Sequence, residues 1–167
     1  MNIYVVSSCG TGQTHLSAFD NALIEAGVAN YNVIPLSSVI PRNGKVLKVK
    51  KYKPGKDEIG CRLYVVMAHI KSSNPDSYLG AGLGWYYLKS GGGLFVEHEL
   101  EGYTEQKVKD KLEELITASL SDLCKHRDEK FETKNINMCL TISPPKNKPR
   151  CALCIAVYKV DPWIFFF

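Results

Sequence analysis

Apolar residues recur at helical spacing in two stretches of the chain, and each stretch predicts a helix. We expect the first helix to have Ser17 as its N-cap and to stop at Gly27. The second helix should begin after Thr104 and end near Leu123. The apolar faces consist of Leu16, Phe19, Leu23 and Ala26 in the first helix, and of Val108, Leu112, Leu115, Ile116, Ser119 and Leu123 in the second.

Strand patterns occupy most of the remaining sequence. Residues 63–70 are almost continuously apolar, which predicts a strand covered on both faces. Gly80, Gly82 and Gly84 alternate with apolar residues, so one face of that strand lacks side chains and invites another backbone or a cofactor. Two helices among about seven strands predict an α+β layered domain. The other predicted strands are residues 2–6, 31–38, 94–99, 130–142 and 152–160.

The length of 167 residues predicts a single domain spanning residues 1–167. Its 21 basic and 17 acidic residues leave a net charge of +4, and six lysines are concentrated between Lys45 and Lys56. This stretch contains Tyr52 as its one aromatic residue and no arginine, so it does not resemble a nucleic-acid groove. We expect an edge hairpin protected by lysines, and no nucleic-acid partner.

The cysteines and the chain ends bear on compartment and partners. Six cysteines without a secretory signal at the start favour reduced thiols in the cytoplasm. Cys151 and Cys154 have the spacing of half a zinc site, but in a strand they face opposite sides, so no metal is expected. No stretch reaches the roughly 20 apolar residues of a membrane helix. We expect the aromatic residues 163–167 to be buried against a neighbour.

The candidate chemistry lies in the segment from Leu36 to Pro41. Ser37 and Ser38 stand between apolar, strand-forming residues, and Pro41 closes the segment. On these residues alone, the two hydroxyls are explained by hydrogen bonds to nearby backbone. A reactive pair is the alternative, and it needs support from the rest of the chain.

Four motifs, one of which contains the Ser37–Ser38 pair, occur in an order that resembles the pyruvoyl-dependent arginine decarboxylases. They are residues 18–23 containing Asp20, Asn32 six positions before Ser38, the segment from Ser37 to Pro41, and residues 94–99 containing Glu97. The resemblance runs from the start to about residue 123 and also suits the strand pair that follows. It implies a layered sandwich with helices outside mainly antiparallel sheets. It also implies a homo-trimer, or a multiple of trimers, with pockets between protomers.

The resemblance further implies a cofactor made from the chain itself. Decarboxylation of an α-amino acid leaves electrons on Cα, which requires an electrophilic carbonyl as a sink. In this family the Ser38 hydroxyl would attack the Ser37 carbonyl, cleave the chain between them, and leave a covalent pyruvoyl group at position 38. Pyridoxal phosphate would need a lysine that no motif singles out, so neither it nor a metal is expected. The implied reaction converts arginine to agmatine and carbon dioxide.

Residue roles follow from the same resemblance. Glu97 would protonate Cα, Asn32 would lie beside the pyruvoyl group, and Asp20 would bind the guanidinium group of the substrate. Glu99 is a rival for the acid role, because the segment after Glu97 is longer than usual for the family. Without the resemblance, Glu97 is an edge-strand surface carboxylate, and Asp20 is the acidic member of a capping box with Ser17.

Two other functions stay open on the sequence. A related pyruvoyl enzyme would act on histidine or another amino acid. A homologue that never cleaves itself would be a structural or binding protein. Arg42, where a second proline is common in the family, weakens the arginine assignment more than the pyruvoyl assignment.

Overall fold

A computed structural model of the chain describes residues 1–163 and contains two α-helices, nine strands and one short 3-10 helix. The helices are α1 (His15–Ala26) and α2 (Glu105–Lys125), and the 3-10 helix is Thr133–Asn135. The strands are β1 (Asn2–Thr11), β2 (Asn32–Pro35), β3 (Val39–Ile40), β4 (Lys45–Lys48), β5 (Arg62–Ser72), β6 (Tyr78–Tyr87), β7 (Gly93–Gly102), β8 (Asn137–Ser143) and β9 (Arg150–Asp161).

The strands form two sheets stacked face to face. The first has the order β2-β5-β9-β1-β4 and the second the order β3-β7-β6-β8. Pairing is antiparallel except at the two edges of the first sheet, where β2 and β4 run parallel to their neighbours. The main core lies between the sheets, α1 covers the outer face of the first sheet, and α2 covers the outer face of the second. The layers are therefore helix, sheet, sheet and helix, which confirms the predicted α+β class.

The start of α1 differs from the sequence prediction. Thr14 is the N-cap, and its side chain accepts the amide of Ser17, whose hydroxyl in turn accepts the amide of Thr14. Ser17 is thus the third residue of the helix and the second member of the capping box, because Thr14 takes the cap position first. Asp20 has no capping role. The predicted stop is confirmed, since Gly27 ends the helix in the left-handed region with φ 86°.

The second helix follows its prediction closely. Thr104 is its N-cap and accepts the amide of Lys107, and the helix continues two residues beyond Leu123 to Lys125. Among residues 1–163, neither helix combines the length and apolar character needed to cross a membrane.

The side-chain-free face of β6 lies against the chain's own helix. A Cβ atom on Gly80 would lie 2.8 Å from Leu112 Cδ1 of α2, and one on Gly82 would lie 2.6 Å from Leu140 Cδ2 of β8. Any larger residue would therefore push α2 away from the sheet. The prediction of one glycine face is confirmed, but the inference that it receives another backbone or a cofactor is wrong, because side chains of α2 fill it.

The lysine-rich stretch forms an edge without a hairpin. β4 pairs in parallel with β1 at one edge of the first sheet, and residues 49–61 contain no strand. The hairpin prediction is wrong because β4 pairs with a strand distant in sequence. The two cysteines of β9 do face opposite sides, with Cys151 in the core under α1 and Cys154 in the core between the sheets.

The aromatic end of the chain is described as far as Trp163. Its indole N–H donates to the Gly60 carbonyl at 2.9 Å, and its ring stacks on the Arg62 guanidinium at 4.6 Å. The expectation that the tail is buried against a neighbour concerns mainly residues 164–167, which lie outside the described residues.

Candidate active site

Pairing of β3 with β7 brings Ser38 next to Glu97, 59 positions away in sequence. β3 is antiparallel to β7, with Val39 opposite Leu94. Next to this pair, the carbonyl of Ser38, which precedes Val39, accepts the backbone N–H of Phe95, which follows Leu94, at 2.8 Å. The Ser38 hydroxyl donates to the carboxylate of Glu97. The side chain and the carbonyl of Ser38 are thus both held by β7.

Ser38 has a strained backbone. Its φ is 58°, in the left-handed region, which costs an L-residue other than glycine about 1 to 2 kcal/mol. A pyruvoyl group at this position would lack the amide nitrogen that defines φ and would have a planar centre in place of the tetrahedral Cα. Conversion of Ser38 therefore removes the strain. The residues around position 38 fit a group formed from this serine.

Two carboxylates on β7 face the first sheet, and only one of them contacts Ser38. Glu97 and Glu99 lie on the same face of β7 as Phe95, which points into the core between the sheets. Glu99 accepts the backbone N–H of His69 on β5 at 3.1 Å, so it connects the two sheets. Partial burial raises the pKa of Glu99, and the hydrogen bond from His69 opposes that shift. This geometry favours Glu97 over Glu99 as the group that acts on residue 38.

A shallow groove of about 380 Å³ runs beside Ser38 and Glu97 along the edge of β7. Within the described chain, β3 covers only the first two residues of this edge. His98 of β7 and Ser119 and Asp122 of α2 also line the groove, and His98 Nε2 lies 2.8 Å from the Ser119 hydroxyl. Burial lowers the pKa of His98, although the charge of Glu97 opposes the shift.

Sequence reasoning missed these three residues of the groove. One signal was present, since Ser119 is a polar residue on the predicted apolar face of α2. Sequence reasoning also missed the hydrogen bond that the Tyr158 hydroxyl donates to the Val39 carbonyl at 3.1 Å.

Asp20 and Asn32 belong to α1 and to β2 of the first sheet, whereas Ser38 directly precedes β3 of the second sheet. Asp20 is exposed on α1, and its side chain makes no hydrogen bond or ion pair within residues 1–163. Asn32 is exposed at the start of β2, and its side-chain amide donates to the Gly60 carbonyl at 2.6 Å. The chain therefore brings Ser38 and Glu97 together, whereas Asp20 and Asn32 make no hydrogen bond to either of them.

Comparison with known proteins identifies the family of the chain. Residues 2–161 match the sequence family described as pyruvoyl-dependent arginine decarboxylase (PvlArgDC). The chain is 35% identical over 156 residues to the protein of that name from Pyrococcus abyssi, covering 92% of this chain and 91% of the relative. Its counterpart from Thermococcus kodakarensis is 33% identical over 156 residues, covering 92% of each chain. The Halobacterium salinarum protein is 36% identical over 118 residues, covering 71% of this chain and 72% of the relative. The chain belongs to the pyruvoyl-dependent arginine decarboxylase family.

Proposed function

We propose that this protein decarboxylates arginine to agmatine and carbon dioxide, using a covalent pyruvoyl group made from Ser38 by self-cleavage. The observation that carries the proposal is the contact between the Ser38 hydroxyl and the Glu97 carboxylate at a residue held in a strained conformation. Family membership and the names of the relatives support the same reaction.

Self-cleavage begins at the hydroxyl of Ser38. Glu97 accepts its proton while Oγ attacks the carbonyl carbon of Ser37. The peptide C–N bond breaks, the nitrogen takes up a proton, and the two residues are joined by an ester. Loss of the Ser38 Cα proton then expels the Ser37 carboxylate and leaves dehydroalanine. Water replaces its nitrogen, which departs as ammonia, so the second chain begins with a pyruvoyl group at position 38.

In the decarboxylation, the pyruvoyl group supplies the electrophilic carbonyl that takes the electrons left on Cα. The Phe95 amide holds the carbonyl of residue 38 in place. Glu97, already in contact with the side chain of residue 38, returns a proton to Cα. The Asp20 carboxylate receives the guanidinium group through two parallel hydrogen bonds, and Asn32 lies beside the pyruvoyl group.

A second copy of the chain completes the site in this proposal. Asp20 and Asn32 make no hydrogen bond to Ser38 or Glu97 within one chain, and the groove along β7 is open. Leu36 and Val39, on either side of the serine pair, expose 36% and 56% of their surface. We expect a homo-trimer or a multiple of trimers, with each site at a shared boundary. Light scattering that finds a monomer would remove this part of the proposal.

The decisive experiment for the function is an intact mass under denaturing conditions. Wild-type protein should appear as two chains split between Ser37 and Ser38, and Ser38→Ala should stay at about 18.6 kDa. If the wild type also stays whole after long incubation, the protein is a non-cleaving structural or binding homologue. Cleavage followed by turnover of histidine or another amino acid, but not of arginine, would identify a different decarboxylase.

A further inference from the structure

A β-bulge in β9 interrupts its pairing with β5 at Tyr158. Val157 lies opposite Val65 and Lys159 lies opposite Tyr64, so Tyr158 is the extra residue without a partner. Its side chain points into the core between the sheets, whereas Lys159 is exposed. Bulges redirect side chains and are frequent beside active sites. Tyr158 lies on the same side of β9 as Ala152, Cys154 and Ala156 and points across the core towards the second sheet. The bulge shifts the residues after it, so that Val160 packs on the α1 side.

The hydroxyl of Tyr158 reaches the segment that carries the serine pair. It donates to the Val39 carbonyl at 3.1 Å. Its ring packs against that of Phe95, with centroids 6.1 Å apart, and the amide of Phe95 holds the Ser38 carbonyl. Two consecutive carbonyls, those of residues 38 and 39, are therefore fixed by donors from opposite sheets.

These two bonds act on the exposed end of β3, while the other residue of the strand, Ile40, is held by burial in the core between the sheets. β3 contains only two residues, and its pairing with β7 consists of Val39 opposite Leu94 and Ile40 opposite Gly93. Val39 is more than half exposed, so side-chain packing adds little at this residue. Burial and the nearby charge of Glu97 raise the pKa of Tyr158, so its hydroxyl stays protonated and remains a donor.

We propose that Tyr158 is a positioning residue for self-cleavage. Its bond to the Val39 carbonyl keeps Ser38 in the strained conformation, and this conformation places Oγ near Glu97 and the Ser37 carbonyl. Without this bond, Ser38 relaxes towards an ordinary φ and its hydroxyl leaves the reactive position. The inference rests on the self-cleavage proposed above, and it concerns how the precursor is held ready for that step.

The test compares Tyr158→Phe with a matched control, Tyr86→Phe. Tyr86 is also buried, and its hydroxyl bonds to the Lys130 carbonyl at 3.1 Å and to the Glu132 amide at 3.2 Å, on the α2 side of the second sheet. Precursor is collected in denaturant during cell-free synthesis and refolded, and cleavage is followed by intact mass. Tyr158→Phe should cleave about five- to tenfold more slowly, as expected for one lost hydrogen bond. Tyr86→Phe should lower the melting temperature and cleave at the wild-type rate.

Two further measurements separate positioning from other roles. The pH profile of cleavage should keep its shape in Tyr158→Phe, because Tyr158 transfers no proton. In chains that also carry Ser38→Ala, Tyr158→Phe should speed hydrogen exchange of the Phe95 amide by about tenfold, and Tyr86→Phe should not. This second measurement does not depend on cleavage, so it shows whether Tyr158 restrains the Ser38 segment even if the wild type stays whole; a wild type that stays whole would contradict the proposed function, whereas unchanged exchange would contradict the restraint by Tyr158.

Three results would overturn the inference. The first is that Tyr158→Phe cleaves itself at the wild-type rate at a temperature where the variant is folded. The second is an alkaline limb of the pH profile that moves in this variant. The third is unchanged exchange of the Phe95 amide.

Discussion

The contact between Ser38 and Glu97 predicts that Glu97→Gln nearly stops self-cleavage. Glutamine has the same shape and still offers an oxygen to the Ser38 hydroxyl, but it cannot take up the proton. A positioned general base contributes about 100- to 10,000-fold to a rate. Cleavage should therefore slow by at least about 100-fold, which equals about 2.7 kcal/mol of activation free energy.

Glu99→Gln is the matched control, two positions along the same face of β7. Its side-chain oxygen still accepts the His69 amide, so the connection between the sheets survives in neutral form. Burial raises the pKa of Glu99, which means that the folded chain disfavours its charge. Removing the charge should change the free energy of unfolding by no more than about 1 kcal/mol and leave the cleavage rate unchanged.

The assay follows the fraction of intact chain after refolding, by mass spectrometry, at a temperature where both variants are folded. Circular dichroism of the same samples reports folding. Equal slowing in Glu97→Gln and Glu99→Gln would show that charge near β7, rather than the Ser38 contact, governs cleavage. A wild-type rate in Glu97→Gln would refute the assignment of Glu97 as the base.

Three further predictions follow from the structure. Asp20→Asn should lower kcat/KM for arginine by about 30-fold or more, because a charge-assisted pair with the substrate is lost. Its melting temperature should not change, because Asp20 does not cap the helix, and the control Glu25→Gln on the same helix should change neither quantity. Lower stability with normal kinetics in Asp20→Asn would contradict the assignment. Gly84→Ala should cost about 1 to 3 kcal/mol in urea unfolding, since the new methyl group meets the fully buried Ile116; a loss below about 0.5 kcal/mol would contradict this packing. Burial lowers the folded pKa of His98 below its unfolded value near 6.5, so its contribution to stability is present above that value and is lost as the pH falls from there to the folded pKa. The drop in melting temperature from pH 7 to pH 6 should therefore shrink in His98→Gln, and an equal drop would disprove this linkage.

Local patterns determined much of the fold from sequence alone. The glycine alternation in β6 predicted a face without side chains, because successive strand residues must point to opposite sides. Thr104 and Gly27 marked ends of the two helices, since capping depends on residues a few positions apart. The order and spacing of residues 18–23, Asn32, residues 37–41 and residues 94–99 together were enough to suggest the family.

Other features depended on contacts between distant parts of the chain. What covers the glycine face is decided by α2, which lies about 25 residues further along, so the glycines alone could not distinguish a helix from a cofactor. The choice between Glu97 and Glu99 depended on the register of β3 against β7 and on the approach of β5. Sequence spacing contains neither of these.

The bulge at Tyr158 marks the boundary between the two kinds of information. Alternation along β9 shows only that the strand is apolar, and the extra residue becomes visible only when β5 pairs beside it. Local geometry follows from neighbouring residues, and the sequence determined it for the glycine strand and for the helices, except at the start of α1. The active-site contacts join residues as far apart as Val39 and Tyr158, 119 positions, and only the packing of two sheets places such groups within hydrogen-bonding distance.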